Sequence, residues 1–258
     1  MTLSVAMITM NEEANLQRTL NSVRFADEIV IVDSFSTDRT LEIARSYNAN
    51  VFVEKFKGHG GQKNSAIDKC TSDWILLLDA DEVLSAPLQQ SIRMLLSSTP
   101  THDAYWMNRS NQIFGRWMRH GGFYPDRKLR LFRRGTARMT NENSPHSTPF
   151  HDGPTGHIQG DLLHHAYPTL PVYLEHMARY SNEMARLTVA RGKTSSNPFT
   201  FCWNVVLNPL ATFFYNYIVR LGFLDGREGL LLHLYHSVYV SWKYAKAWEL
   251  AREPDPNA

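Results

Sequence analysis

Apolar and polar positions fall in alternating blocks over the first third of the chain. Leu3 to Met10 is an apolar run with β-branched content, closed at once by Asn11-Glu12-Glu13. The stretch after it carries Leu16, Leu20 and Val23 at helical spacing. Glu28-Ile29-Val30-Ile31-Val32-Asp33 reads as a second strand ending in a carboxylate. A turn rich in capping side chains, Ser34 to Asp38, then leads into a helix over 39–47. A third strand spans 50–54, a loop with Gly58, Gly60 and Gly61 follows, and a helix covers 62–70. Trp74-Ile75-Leu76-Leu77-Leu78 is apolar on both faces and therefore belongs in the middle of a sheet. Strands alternating with helices predict an α/β fold built on a parallel, doubly wound sheet with right-handed crossovers.

The central run ends in Asp79-Ala80-Asp81-Glu82. A strand does not bury several like charges without counter-ions, so these carboxylates are expected at its C-terminal mouth, where open α/β sheets bind ligands. Glu12, Asp33, Asp79 and Asp81 then share one edge of the sheet. Hard oxygen donors suit Mg²⁺ or Mn²⁺ held by one or two carboxylates and the phosphates of a substrate. The plainer alternative is an acidic turn capping the next helix. No Gly-x-Gly-x-x-Gly follows the first strand and no Gly-x-x-x-x-Gly-Lys-Ser/Thr occurs, which disfavours dinucleotide dehydrogenases and P-loop enzymes. A diphosphate would be held through the cation, with Lys63 either adding positive charge or standing as an ordinary helix lysine.

Composition narrows the setting. The chain has 258 residues, 43% of them hydrophobic, with a net charge of +2, so nothing global calls for nucleic acid. Cys70 and Cys202 stand far apart with no disulfide or zinc pattern, and the opening residues carry no basic leader, so a reducing cytoplasm is the expected compartment. No window has the length and apolarity of a membrane span.

The motifs together resemble a known family. Thr9-Met10-Asn11-Glu12-Glu13, Val32-Asp33-Ser34-Phe35-Ser36-Thr37-Asp38, Gly61-Gln62-Lys63-Asn64 and Leu78-Asp79-Ala80-Asp81-Glu82 are similar to the family 2 glycosyltransferases of GT-A fold. Gly115-Arg116-Trp117, His120-Gly121-Gly122, Tyr124-Pro125-Asp126, Gly160-Asp161-Leu162-Leu163-His164 and Gly222-Phe223-Leu224-Asp225-Gly226 resemble the lipopolysaccharide-core β-1,4-glucosyltransferase subgroup. The resemblance implies a GT-A nucleotide-sugar-binding domain over 1–168 and a helical extension over 169–258. It implies an inverting transfer of a hexose, glucose from UDP-glucose, to an inner-core sugar of an anionic glycolipid. Asn11, Glu12, Asp33, Lys63 and Asp79 fall to the nucleotide, and Asp81 with Asp79 to the divalent metal. Another donor, a capsule acceptor, or a catalytically impaired nucleotide-sugar-binding protein are the alternatives.

Inversion needs a base to take the acceptor proton. Where the subgroup carries Val-His-Glu, this chain has Pro145-His146-Ser147, and serine is no base at neutral pH. Glu142 ranks first as a substitute, ahead of Asp126 and His146; each also reads as a plain loop or packing residue. Between Arg109 and Arg138 nine cations face one acid, a net +8 interleaved with aromatics. Nucleic acid, a phosphorylated glycolipid and a merely charged strand face are the three readings, and the glycolipid fits a sugar-nucleotide domain best. His164 closes a short strand over 161–165, or sits near the diphosphate as a donor or metal ligand.

Leu170 to Arg191 has helical spacing through Val172, Leu174, Met177, Tyr180, Met184 and Leu187, with Gly192 as its stop. An aromatic stretch over 199–221 is broken by Asn and Pro, and a last helix over 227–250 ends in Trp242-Lys243-Tyr244-Ala245-Lys246-Ala247-Trp248. Such a helix suits the inner surface of the cytoplasmic membrane, or else covers the sheet or a dimer interface.

Overall fold

The computed structural model describes residues 1–140 and 148–252. Two compact units result: Met1–Ser110 with Asp126–His164, and Asn111–Pro125 with His165–Ala258. The C-terminal helices thus share their unit with a segment drawn from the middle of the chain.

The first unit opens with β1 (Leu3–Thr9), α1 (Leu16–Ser22), β2 (Glu28–Asp33), α2 (Thr40–Ser46), β3 (Asn50–Val53), α3 (His59–Asp68) and β4 (Trp74–Asp79). β1 pairs in parallel with both β2 and β4, and β2 with β3, giving the expected crossover pattern. The apolar run of β4 is central as its pattern requires: Trp74 through Leu78 are all fully buried. Each such side chain contributes roughly 1.5–3 kcal/mol relative to an exposed one. β5 (Glu82–Leu84) and α4 (Ala86–Ser97) follow. Ser85 caps α4 by accepting from Leu88 N, Pro87 occupies its first turn, and Leu88, Ile92 and Leu96 form the buried stripe.

The sheet then continues in the opposite sense. β6 (Ala104–Ile113), β7 (Arg116–Trp117), β8 (Asp126–Arg133), β9 (Ala137–Arg138), β10 (Phe150–His151) and β11 (Gly156–Tyr167) complete the strands. The order is β3-β2-β1-β4-β8-β6-β11-β5, with β7 paired to β6 and a separate β9–β10 pair. β8 runs antiparallel to β4 and to β6, and β5 antiparallel to β11. The parallel, doubly wound half is therefore the first three crossovers, and the basic stretch supplies an antiparallel half beside it. β8 is no charged strand face: Leu129, Arg130, Leu131 and Phe132 are all buried.

The second unit is helical. α5 (Leu170–Ala190) buries Tyr173, Ser181, Ala185 and Thr188, whereas Val172 and Leu187 are exposed. The face expected from the apolar spacing is thus displaced towards smaller residues, which let α5 pack closely on α8 (Gly226–Leu250). Lys246 of α8 donates to Ala178 O, Ser181 Oγ and Asn182 Oδ1 of α5. Between them lies one continuous helical stretch: α6 (Pro198–Cys202), a π turn (Trp203–Leu207), α7 (Asn208–Phe214) and a second π turn (Tyr215–Val219). Pro209 has no N–H for Val205 O, and Ser241 Oγ donates to that carbonyl instead at 2.8 Å.

Within this unit Asp225, almost fully buried, accepts from His120 N at 2.9 Å, Arg119 N at 3.1 Å and the His120 ring at 2.9 Å. Gly121 lies at φ +68°, and a Cβ there would meet His233 Nε2 at 2.1 Å. His233 is buried, and burial pushes its pKa down. Burial, then His233 and Lys243, push His236 down to about 4.

A histidine held neutral in the native state but free to charge when unfolded makes folding weaken as pH falls. For His236 the window runs from the ordinary value of 6.5 down to about 4. Denaturant titrations should show stability falling through that window with a slope approaching ~1.4 kcal/mol per pH unit per proton. His236→Phe should flatten the slope; an unchanged slope would show that His236 is not the group responsible.

Candidate functional site

The C-terminal ends of β1 and β2 form two interlocked turns. Asn11 and Phe35 both adopt left-handed backbone conformations, at φ 56° and 59°. Asp33 is fully buried and accepts from Thr9 Oγ1 at 2.8 Å, Ser36 N at 2.8 Å and Ser36 Oγ at 2.5 Å. Asn11 N donates to Ser36 Oγ, and Asn11 Oδ1 accepts from Thr37 N, each at 2.8 Å. Asp33 and Asn11 therefore shape the turn. Glu12 is half-buried, tied to Asn15 Nδ2 at 3.1 Å. Burial pushes its pKa up; the Asn15 bond opposes this, and the charges of Asp81, Asp38 and Asp79 add to the rise.

At the end of β4 the three acidic residues separate. Asp79 accepts from Lys63 Nζ of α3 at 2.6 Å on one oxygen and from Arg130 Nη2 of β8 at 2.7 Å on the other. Glu82, expected at the open lip, turns inward and is fully buried. Arg130 Nη2 reaches it at 2.7 Å and Arg109 Nη1 at 3.2 Å, while its second oxygen accepts from Asp79 N at 3.1 Å. Arg109 also holds Asp126 at 2.7 Å, and Lys128 holds Asp126 at 3.0 Å. Asp81 stands apart, paired with His164 Nε2 of β11 at 3.1 Å. Thr19 of α1 anchors the turn by donating to Ala80 O at 2.6 Å.

A single chain of alternating charge results: Lys63, Asp79, Arg130, Glu82, Arg109, Asp126, Lys128. Burial by itself would raise Asp79, but Arg130 and then Lys63 hold it well below the usual carboxylate range. Burial likewise resists ionisation of Asp81, and the charge and hydrogen bond of His164 outweigh it, lowering that pKa. Asp126 is lowered for the same reason, with Arg109 and Lys128 prevailing over burial.

The model of the family described as glycosyl transferase family 2 matches residues 4–152. The chain belongs to that family. It is a glycosyltransferase, with a mixed α/β sheet and a helical C-terminal region. An uncharacterized glycosyltransferase of Rickettsia typhi is 30% identical over 96% of this chain and 87% of the relative. The lipopolysaccharide core biosynthesis glycosyltransferase LpsC of Rhizobium meliloti is 31% identical over 74% of this chain and 73% of its own length. Among solved structures, S. aureus TarS 1–349 in complex with UDP aligns over 98% of this chain and 92% of that chain, at 16% identity and a TM-score of 0.45.

In this glycosyltransferase, Glu12, Lys63, Asp79, Asp81 and His164 are brought together at the ends of β1, β4 and β11, with Asn11 and Asp33 in the adjoining turns. Both Asp79 oxygens are occupied by cations, so it is not presented as a free metal ligand. Among the described residues no group of three or more His, Cys, Asp or Glu side chains could hold a metal ion by itself. Asp81 with His164 offers one carboxylate and one imidazole, a donor pair that fits a divalent cation whose remaining ligands are diphosphate oxygens and water. Asp126, a candidate base, is instead a partner of Arg109 and Lys128, and its lowered pKa makes it a weak proton acceptor. Glu142 and His146 lie outside the described residues.

Arg130, Arg109 and Glu82 were not singled out from the sequence as site residues. Their signal was present in the alternation of Lys128 to Arg133, where Arg130 sits between two leucines on a strand buried on both faces. Arg130→Gln leaves Asp79 and Glu82 without their shared counter-ion, and should lower unfolding free energy by about 3–5 kcal/mol in denaturant titrations. Arg130→Lys should fall between, since one ammonium does not reproduce a planar fork. A loss below ~1 kcal/mol for Arg130→Gln, the range of an exposed pair, would show that the network is not held by this residue.

Proposed function

We propose that this glycosyltransferase moves a hexose, glucose from UDP-glucose, to a hydroxyl of a lipopolysaccharide inner-core sugar with inversion at C1. The observation that carries the reading is the convergence of Glu12, Asp79 and Asp81 with Lys63 and His164 beside the C-terminal ends of parallel strands, where α/β sheets bind nucleotides. The lipopolysaccharide core enzyme LpsC as a relative supports the acceptor class.

The acceptor oxygen forms its bond to C1 as the bond from C1 to the UDP oxygen breaks, and the acceptor proton passes to a base. Glu142 is the first candidate for that base, then His146, since Asp126 is committed to Arg109 and Lys128. Asn11, Glu12 and Asp33 serve the nucleoside side of the donor. Lys63, already at Asp79, adds positive charge beside the departing diphosphate. Asp81 and His164 would hold Mn²⁺ or Mg²⁺, which when bound supplies Lewis-acid stabilisation of that leaving group. The setting is the cytoplasmic side of a membrane that carries the acceptor.

A panel of nucleotide sugars with Mn²⁺, scored for donor hydrolysis and thermal stabilisation, tests the donor. UDP-glucose should stabilise the protein most and be hydrolysed. Asp81→Ala should abolish metal-dependent turnover, by 10²-fold or more as an order of magnitude, while leaving the melting temperature of the free protein within a few degrees. Full turnover by that variant would remove Asp81 from the site. UDP binding with no transfer to any acceptor would assign a nucleotide-sugar-binding role instead.

A further inference from the structure

The second unit exposes an apolar surface that the transfer chemistry does not use. Among the described residues, twelve of the twenty-four exposed large hydrophobic side chains fall between Phe199 and Leu224. They are not scattered. The inner side of the 198–219 helix faces α8 through Phe201 against Trp248 at 5.1 Å between ring centroids, Val205 O with Ser241, and Tyr217 against His233. The outer side carries Phe199, Trp203, Leu207, Leu210, Phe214 and Ile218, with Phe199 89% exposed.

The row runs along a helix that contains two π turns. Its steps are four residues apart, each overshooting an α-helical turn by about 40°, except for Leu207 to Leu210, a three-residue step that turns back by about 60°. The wider turns at Trp203–Leu207 and Tyr215–Val219 reduce the remaining drift, since each residue there turns through less than 100°. An open hollow of about 660 Å³ lies on the same side, lined by Phe199, Trp203 and Leu207 among others.

Charge identifies the occupant. From Met184 to Leu224 there is no acidic residue, and the segment carries four cations, Arg186, Arg191, Lys193 and Arg220. All four are exposed, as is Arg227. The next acid, Asp225, is buried under His120 and adds no negative surface. An exposed apolar row with Trp and Tyr, in a segment whose own charges are all cationic, matches an anionic lipid surface, with the rings at the headgroup level and the cations on phosphates. Among the described residues no helix is long and apolar enough to cross a membrane, so this helix would lie in the interface plane.

We propose that the outer face of residues 198–219 is a docking surface for an anionic phospholipid bilayer. This deepens the acceptor side of the proposed function, since it would bring the enzyme to a membrane-held glycolipid, but its support is the surface itself. It also moves the membrane contact away from the Trp242–Trp248 end of α8, where Lys246 is bonded into α5 and Lys243 is half-buried.

The test is co-sedimentation of the full chain with vesicles of phosphatidylcholine, alone or mixed with phosphatidylglycerol. The protein should partition onto the mixed vesicles, and the triple variant Trp203→Ser, Leu210→Ser, Phe214→Ser should partition roughly tenfold or more weakly. Arg191→Glu with Lys193→Glu should lose the preference for phosphatidylglycerol. All these side chains are exposed, so the variants should keep the wild-type circular dichroism and donor hydrolysis. Three results would overturn the proposal: no partitioning of the wild type, equal partitioning of the triple variant, or a wild-type dimer that the triple variant converts to monomers without any vesicle binding. Vesicle binding without transfer to a lipopolysaccharide acceptor would sink the proposed acceptor and leave the docking surface standing.

Discussion

Arg130 is the residue on which the first unit turns. It enters from an antiparallel strand, is 3% exposed, and places one nitrogen within 2.7 Å of both Asp79 and Glu82. Two carboxylates close to each other at the end of an apolar strand would repel and neutralise by taking protons. A guanidinium between them removes that need. The cost is desolvation of the cation, and one nitrogen, Nε, has no hydrogen-bond partner in the structure. Such an arrangement is weak grounds for net stability, yet it fixes where β8 meets β4 more tightly than leucines alone would. The antiparallel half of the sheet is registered on the parallel half by charge as well as by apolar packing.

This constraint sorts the carboxylates of the nucleotide-binding edge by environment. Asp79 and Glu82 are committed to cations from α3, β8 and β6, while among the described residues Asp81 pairs with a histidine and Glu12 has an asparagine bond and a raised pKa. Four acids near one another in sequence or space thus have distinct electrostatic tasks. The two with the least countercharge, Glu12 and Asp81, are the ones with most to gain from a cationic ligand. Asp79 instead presets the position of Lys63, whose ammonium would otherwise move on a flexible stem.

Much of this was legible in the residues. The apolar block of β4, the crossovers before it and the carboxylate at each strand end followed from periodicity and burial alone, because parallel central strands have a pattern little else shares. The separation of Asp81 from Glu82 did not. Both are acids one residue apart, and which of them faces inward depends on arginines 27 and 48 residues further along the chain. The pairing within the basic stretch was hidden for the same reason. Its net +8 is a property of sequence neighbours, whereas in the fold Arg109, Lys128, Arg130, Arg133 and Arg138 each meet an acid, drawn from four different segments. Local charge counts are blind to pairing at long range. The α5 face was misjudged because apolar spacing favours large side chains, and close packing of two long helices selects Ser181, Ala185 and Thr188 instead.

The same distinction between composition and placement decides how the second unit meets its surroundings. The aromatic and basic end of α8 has the residue content of an interfacial helix, but its lysines are spent within the unit. Lys246 makes three bonds to α5, and burial together with the nearby Lys193 lowers the pKa of Lys243. The preceding helix has less charge and a broken pattern, with Asn204, Asn208, Pro209 and Asn216 interrupting it. Of those interruptions, Pro209 is buried, and Asn204 donates to Ser195. Most of what remains outward is apolar. A face of that kind on a folded protein persists only where something other than water covers it. With four cations and no acid between Met184 and Leu224, the covering phase best matched is one whose own surface is negative and whose interior is hydrocarbon.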